Sequence, residues 1–274
     1  MNWHVIRAVS AKPQGYVWEV REEPPAGGAG ASPRGALRHG FFKFTTPKNH
    51  YWGGPAAANE LIAAGLARLV GLDAADVVPA RIEGHLGAVS LVRPAAHLVG
   101  WRELSKTVQG NVRRHIANAH QFRLMLAFDV WVLNIDRATG KNIIAYKETV
   151  GSPWRVYFID HGHTLHGNYD RWRWGGPPHA RFWNDLWRYY GVPSGVGRYL
   201  TAYRQVEPYV RRIAAITREQ IRREVRAVPS GLLTRDQADL IEDLLLWRQR
   251  RVAFILRRWF GWQARQRRQR PRRR

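Results

Sequence analysis

The sequence predicts an α+β protein of two lobes, the first β-rich and the second helical. Two observations carry this expectation. Up to residue 92, short β-branched and aromatic runs alternate with Gly- and Pro-rich stretches, and only one stretch has helical spacing. Beyond residue 92, apolar residues recur at helical spacing in several segments, two of which open with the same start signal. On this reading residues 1–92 form an N-terminal lobe, 93–262 a helical C-terminal lobe, and 263–274 a disordered Arg-rich tail.

In chain order, His4 to Val9 and Tyr16 to Glu22 read as strands separated by Ser10 to Gly15. Glu23 to His39 is rich in Pro, Gly and Ala and reads as a long mobile connection. Gly40 to Phe44 is a short aromatic strand. After a loop from Thr45 to Pro55, Leu61, Leu66, Leu69 and Val70 mark a helix from Ala56 that Gly71 ends. Val77 to Ile82 and Leu86 to Val92 are two further strands around a turn at Glu83-Gly84. His115 to Leu133 then has helical periodicity, Asn134 to Lys141 breaks it, and Asn142 to Tyr146 and Val156 to Ile159 read as a strand pair. Thr217-Arg-Glu-Gln220 and Thr234-Arg-Asp-Gln237 are capping boxes, the second opening a helix expected to run from Arg235 to about Phe260.

Composition narrows the functional classes. With 45% hydrophobic residues in 274, the chain can bury a core and is not a disordered protein. It has no cysteine, which excludes disulfides and cysteine-bound zinc. The first ten residues lack the apolar core of a secretory signal. The longest apolar stretch, Leu124 to Ile135, contains Asp129 and is too short to cross a bilayer. These points predict a soluble, cytoplasmic protein. The formal charge is +23, and residues 248–274 hold 12 arginines and no acid. Such a field favours polyanions: nucleic acid, anionic lipid headgroups, acidic proteins or nucleotide phosphates. A solvated tail without a partner is the plain alternative.

Four features point to phosphoryl transfer, which needs positioned phosphates, metal ligands and a carboxylate near the attacking hydroxyl. Lys43 lies between Phe42 and Phe44, where burial is costly unless its ammonium meets anions. A nucleotide phosphate and Glu60, early in the following helix, would supply them; a snorkelling lysine is the ordinary alternative. Asp136 and Asn142 flank a loop after a helix, suited to an acid that orients a hydroxyl and an amide that holds a metal, or to a simple turn. Asp160 ends the apolar run Val156 to Ile159 and is followed by His161-Gly162, a place for a carboxylate that binds magnesium. Their order, with Asp136 and Asp160 24 residues apart, carries more than any one of them.

Asn134-Ile-Asp136-Arg137, Asn142-Ile143-Ile144 and Phe158-Ile159-Asp160-His161-Gly162 resemble the catalytic and metal-binding motifs of HipA-like kinases. They are also similar to those of phosphatidylinositol 3- and 4-kinases. Phe41-Phe42-Lys43-Phe44 followed by Asn59-Glu60-Leu61 resembles the HipA-like N-terminal lobe, and the resemblance spans roughly residues 4 to 165. It implies a protein-kinase-like fold with ATP and Mg2+ as cofactors. Lys43 would lie on the ATP phosphates and be held by Glu60. Asp136 would be the catalytic acid/base, and Asn142 and Asp160 the magnesium ligands. The strand Leu86 to Val92 would lead into a hinge whose backbone meets adenine near Leu91 to Arg93, with Leu91 and Val92 as the named contacts. Asp136 and Asn142 are six residues apart where five is usual, so one residue must bulge or the asparagine role must shift. For the phosphate loop the choice falls on Ser10, Lys12 and Gly15, with Gly27 to Gly35 as competitor.

The expected acceptor is a protein Ser/Thr hydroxyl, with a lipid or other small alcohol second. A catalytically inactive nucleic-acid-binding protein using the Arg-rich C-terminus is the alternative from another class, and a magnesium-dependent phosphate hydrolase the third. Asp129 is expected to brace the Asp136 loop. His161, His163, His166 and His179 form no matched metal set, and His161 and His163 are expected to pack around the Asp160 loop. Tyr169 to Tyr190 interleaves arginines with tryptophans, as a packed core with a basic rim or a platform for substrate or bases.

Overall fold

The computed structural model describes residues 2–12, 15–23, 37–48, 55–165 and 186–269. The Gly27–Gly35 stretch, His166, His179 and most of the Tyr169–Tyr190 segment lie outside the described residues.

The N-terminal region is a five-stranded antiparallel sheet in the order β1-β2-β3-β5-β4. Its strands are β1 (Trp3–Lys12), β2 (Gly15–Glu22), β3 (His39–Phe44), β4 (Val77–Ile82) and β5 (His85–Leu91). Alternation decides which face each residue takes. On β3, Phe42 and Phe44 are buried with Val20 and Val89, while Lys43 points to the opposite face. On that second face lies α1 (Ala56–Val70), whose buried small residues allow close approach to the sheet. Gly71 ends it in the left-handed region at φ 70°, where its N–H and that of Leu72 cap the last carbonyls.

A second sheet, β6 (His97–Gly100), β7 (Ile143–Lys147) and β8 (Arg155–Phe158), lies beyond the link from β5. The short strand β6 carries little sequence signal and was not expected. Between β6 and β7 come a 3-10 turn, α2 (Lys106–Gly110), α3 (Val112–His115) and α4 (Gln121–Trp131). The single helix expected over His115 to Leu133 is therefore interrupted. Ala117 bonds the Trp154 carbonyl, and the Asn118 side chain takes both the N–H and the C=O of Val156, which diverts the chain.

The C-terminal region continues with α5 (Ser194–Tyr199), α6 (Glu207–Ala214), α7 (Arg218–Arg226), α8 (Arg235–Gln249) and α9 (Val252–Gln269). Thr217 and Thr234 form the expected capping boxes of α7 and α8. Two expectations are corrected here. The last helix is two helices that meet at Arg250 and Arg251, each with its own buried stripe. The tail is not disordered from residue 263, because α9 runs on to Gln269. Trp262 packs edge-on against Trp187, and Arg267 bonds the carbonyls of Gly197 and Leu200 at 2.6 and 3.0 Å. Among the described residues, no helix is long and apolar enough to cross a membrane.

The C-terminal helices position the loop that follows α4. Val130 and Trp131 lie in its last turn, where carbonyls lack helical partners. The buried Arg248 guanidinium donates to both carbonyls and to the Tyr190 hydroxyl at 2.5 to 3.1 Å. Burial pushes the Tyr190 phenol up to about 12, although the Arg248 charge opposes the rise. Replacing Arg248 by Met would leave these carbonyls unsatisfied. Arg248→Met is expected to cost about 2–4 kcal/mol, measured by urea unfolding. A loss under about 1 kcal/mol would mean that Arg248 does not hold the end of α4.

Candidate active site

The site is assembled from four segments, and Lys43 joins three of them. Its ammonium pairs with Glu60 on α1 and with Asp160 Oδ1 at 2.8 Å. Glu60 is almost wholly buried, and its second oxygen accepts the His161 N–H at 3.0 Å. One carboxylate thus ties β3, α1 and the segment after β8 together. Burial works to lower the Lys43 pKa, but the Glu60 and Asp160 charges outweigh it and hold the ammonium protonated. Burial likewise works to raise the Asp160 pKa, and the Lys43 charge overcomes it, bringing Asp160 down to about 2.

Asp160 is held in an unfavourable backbone conformation, φ 60°, and so is Leu133, φ 59°, on the other loop of the site. For a non-glycine residue this costs about 1–3 kcal/mol and persists only where surrounding bonds over-determine it. Here those bonds are present. Asn59 donates to the carbonyls of Gly162 and Thr164, both at 3.0 Å, and Leu165 N–H bonds the Val132 carbonyl at 2.7 Å.

The Asp136–Asn142 loop is organised by Arg137, which is 1% exposed. Its guanidinium forms a bidentate pair with buried Asp129 at 3.0 and 3.2 Å. It also donates to the carbonyls of Asn142 at 2.5 Å and Ile159 at 3.2 Å, and to His161 Nε2 at 3.1 Å. Burial raises the Asp129 pKa and Arg137 opposes it. Burial and the Arg137 charge drive the His161 pKa well down, so the imidazole is neutral. Because His161 Nε2 accepts from Arg137, that nitrogen is committed. Asn134 bridges Asp129 Oδ1 and the Asp136 N–H, at 2.8 and 3.1 Å. Asp129 therefore braces the loop through Asn134 and Arg137.

The six-residue spacing is absorbed at Gly140. Its φ of 75° turns the chain, and a Cβ there would lie 2.7 Å from the Trp101 ring. Asn142 still reaches Asp136, donating to its backbone oxygen at 3.1 Å and to Oδ2 at 3.3 Å. Lys141, which the sequence reading passed over, pairs with the same Oδ2 at 2.9 Å. Its signal was a cation beside Asn142 in a loop that already held an acid. Arg137 was missed as an organiser. A lone acid in an apolar helix followed by an arginine eight residues on was the available sign, since two charges in apolar surroundings must be paired.

A cleft of about 780 Å³ opens between these parts. Ser10, Lys12 and Gly15 from the β1–β2 hairpin line one side, Lys43 and Asp160 the back, and Asp136 with Lys141 the floor. Leu91 and Val92 do not join it. They line a separate depression of about 460 Å³, and their N–H groups are spent on the carbonyls of Asp76 and His39, both at 2.8 Å. Asn142 and Asp160 carry oxygen donors, and the Ile159 N–H bonds the Asn142 carbonyl at 3.2 Å, which places the two loop ends together. An oxygen-only pair suits magnesium, which keeps waters and takes few protein ligands. Among the described residues no group of three or more His, Cys, Asp or Glu side chains is placed to hold a metal ion.

Removing Arg137 would strand Asp129 as an unpaired buried charge. Arg137→Met is expected to lower stability by about 3–5 kcal/mol in urea unfolding. The double variant Arg137→Met/Asp129→Leu should recover part of that loss, because the stranded charge goes with it. Strictly additive losses in the double variant would refute the pairing as the cause.

No protein-family model matches the sequence, and a search of curated proteins finds no match. Solved structures do resemble it. The proinflammatory kinase CtkA of Helicobacter pylori aligns with a TM-score of 0.56 at 10% identity, over 95% of this chain and 96% of its own. HipA of Shewanella oneidensis MR-1, solved with HipB and operator DNA, aligns with a TM-score of 0.52 at 12% identity, over 94% of this chain and 68% of its own. The antiparallel N-terminal sheet and helical C-terminal region are those of the HipA-like kinase fold.

Proposed function

We propose that this protein is a kinase that uses ATP and magnesium to phosphorylate a hydroxyl group, on a protein Ser or Thr. The observation that carries this reading is the double engagement of Lys43 by Glu60 and Asp160 beside Asp136. A lysine ammonium has a further N–H beyond those two bonds, and in the cleft it is the group to meet a phosphate oxygen. Lys12 and the turn at Gly15 cover the same space from the hairpin. The two structural neighbours are named as a kinase and a toxin of the HipA type, which supports the same reading.

In this reading, Asp160 and Asn142 would hold magnesium, which when bound neutralises phosphate charge. Glu60 keeps Lys43 aimed into the cleft. Both the Lys141 and Asn142 contacts fall on Asp136 Oδ2. That orientation leaves Oδ1 for the acceptor hydroxyl, whose proton passes to the carboxylate as its oxygen attacks the γ-phosphorus. The bond from the γ-phosphorus to the β-bridging oxygen breaks, and ADP leaves. Lys141 flanks the incoming phosphoryl group and steadies the Asp136 side chain.

The test is transfer from γ-labelled ATP with magnesium, to the protein itself and to a basic protein acceptor. Asp136→Asn and Asp160→Asn are each expected to lower transfer by about 100-fold or more. ATP binding should survive in Asp136→Asn and lose its magnesium dependence in Asp160→Asn. Transfer to phosphoinositide vesicles and not to protein would move the acceptor to a lipid. Absence of both ATP binding and transfer in the wild type would overturn the kinase reading.

A further inference from the structure

We propose that a single-stranded nucleic acid lies along a basic track that starts beside the Asp136–Asn142 loop and ends on α9. The track begins in a cavity of about 440 Å³ between α2 and that loop, where Arg102 and Lys106 face Ala138 and Thr139. From there successive elements are in contact. The α5 helix packs on α2, with Gly195 against the Gln109 carbonyl and the Arg198 guanidinium beside Gly110. Arg267 of α9 in turn bonds the Gly197 and Leu200 carbonyls at the end of α5. On α9 itself, Phe254, Arg257, Arg258, Gly261 and Arg265 share one exposed face around a groove of about 490 Å³. At helical rise, that face extends for about 16 Å.

Charge makes the track a polyanion site. Arg102, Lys106, Arg198, Arg257, Arg258 and Arg265 are exposed, and among the described residues none has a carboxylate within ion-pair distance. Some exposed arginines elsewhere do have one, as Arg211 has Glu207 and Arg226 has Asp239, while others, such as Arg222 and Arg235, have none among the described residues; what sets the track apart is that five of its six cations line two cavities.

Two further observations select nucleic acid over a lipid surface or an acidic peptide. The apolar face of α9, with Val252, Ile255, Leu256, Trp259 and Phe260, is buried in the core and is not available to enter a bilayer. The arginines of the groove are also stacked. The Arg258 guanidinium lies 5.5 Å from the Trp187 ring centroid and 5.6 Å from that of Phe254, and Arg257 lies 4.9 Å from that of Tyr203. A guanidinium held over a ring is pre-ordered for a phosphate. Phe254 is 42% exposed and Tyr189, on the 3-10 turn that packs on α9, is 63% exposed, so partly open aromatic rings lie near the groove.

The experiment is fluorescence anisotropy with short mixed-sequence single-stranded DNA and RNA, titrated over a range of salt. Six phosphate contacts predict a slope of log affinity against log salt of about −4. Arg257→Gln/Arg258→Gln/Arg265→Gln should weaken binding about tenfold or more and flatten the slope by about 2. Arg102→Gln/Lys106→Gln should flatten it by about 1 more. A control triple, Arg81→Gln/Arg222→Gln/Arg235→Gln, removes the same charge from outside the track and should change binding little. An equal loss in the control would show diffuse attraction and overturn the track, as would unchanged binding in the groove triple. Equal competition by poly-glutamate or anionic vesicles would overturn the choice of nucleic acid. None of these readouts depends on phosphate transfer, so the track and the kinase reading stand or fall separately.

Discussion

The buried pair of Arg137 and Asp129 is the interaction on which the site depends. Each charge would be untenable alone in that core, and each is kept ionisable by the other. The guanidinium then has donors to spare. It uses them on backbone oxygens of the two segments that must lie together, the Asn142 end of one loop and the Ile159 end of β8. A hydrophobic pair of equal volume would satisfy the core and lose that alignment. The pair therefore contributes geometry more than stability, and it fixes the distance between the loop that carries Asp136 and the strand end that carries Asp160. Lysine could not replace the arginine, because a point-like ammonium cannot span a carboxylate, two carbonyls and an imidazole at once.

The second constraint is the union of the sheet with the helical region through Lys43, Glu60 and Asp160. The N-terminal sheet contributes only one charged side chain to this union, but that side chain meets groups from both α1 and the segment after β8. Because the His161 N–H bonds the same glutamate, displacement of α1 would disturb the left-handed backbone at Asp160 as well as Lys43. Strain at Asp160 and Leu133 is tolerated because the Asn59 side chain and the bond from Leu165 to Val132 hold the surrounding backbone. Loosening any of them would let both loops relax toward ordinary conformations and move the acids apart.

Much of this was legible in the sequence, for identifiable reasons. Strands such as Gly40 to Phe44 and the helix ended by Gly71 follow from alternation, spacing and one left-handed glycine, all local properties. The acids Asp136 and Asp160 were legible because they end apolar runs. Arg137 and Lys141 were not read as functional, since their roles are made by partners up to 24 residues away. The pairing of the Leu91 and Val92 N–H groups with the carbonyls of Asp76 and His39 was not legible, because no local pattern announces it. The break at Asn118 arose the same way: its amide is satisfied by Val156, a residue 38 positions on. The expected end of the last helix near Phe260 ignored Trp262 and Arg267, which are anchored by residues on other elements.

The two loops also explain why one extra residue between Asp136 and Asn142 is compatible with an intact site. What matters is where the asparagine amide arrives, and that is set by Arg137 holding the Asn142 carbonyl while Ile159 N–H bonds it from the other side. With the arrival point held at both ends, the intervening residues are free to take any path that closes. Gly140 supplies the turn, and its lack of a Cβ lets Trp101 pack against it. The longer loop places Lys141 one step before Asn142, within reach of Asp136 Oδ2. The added residue thus leaves the acid and the amide in contact and sets a cation beside them.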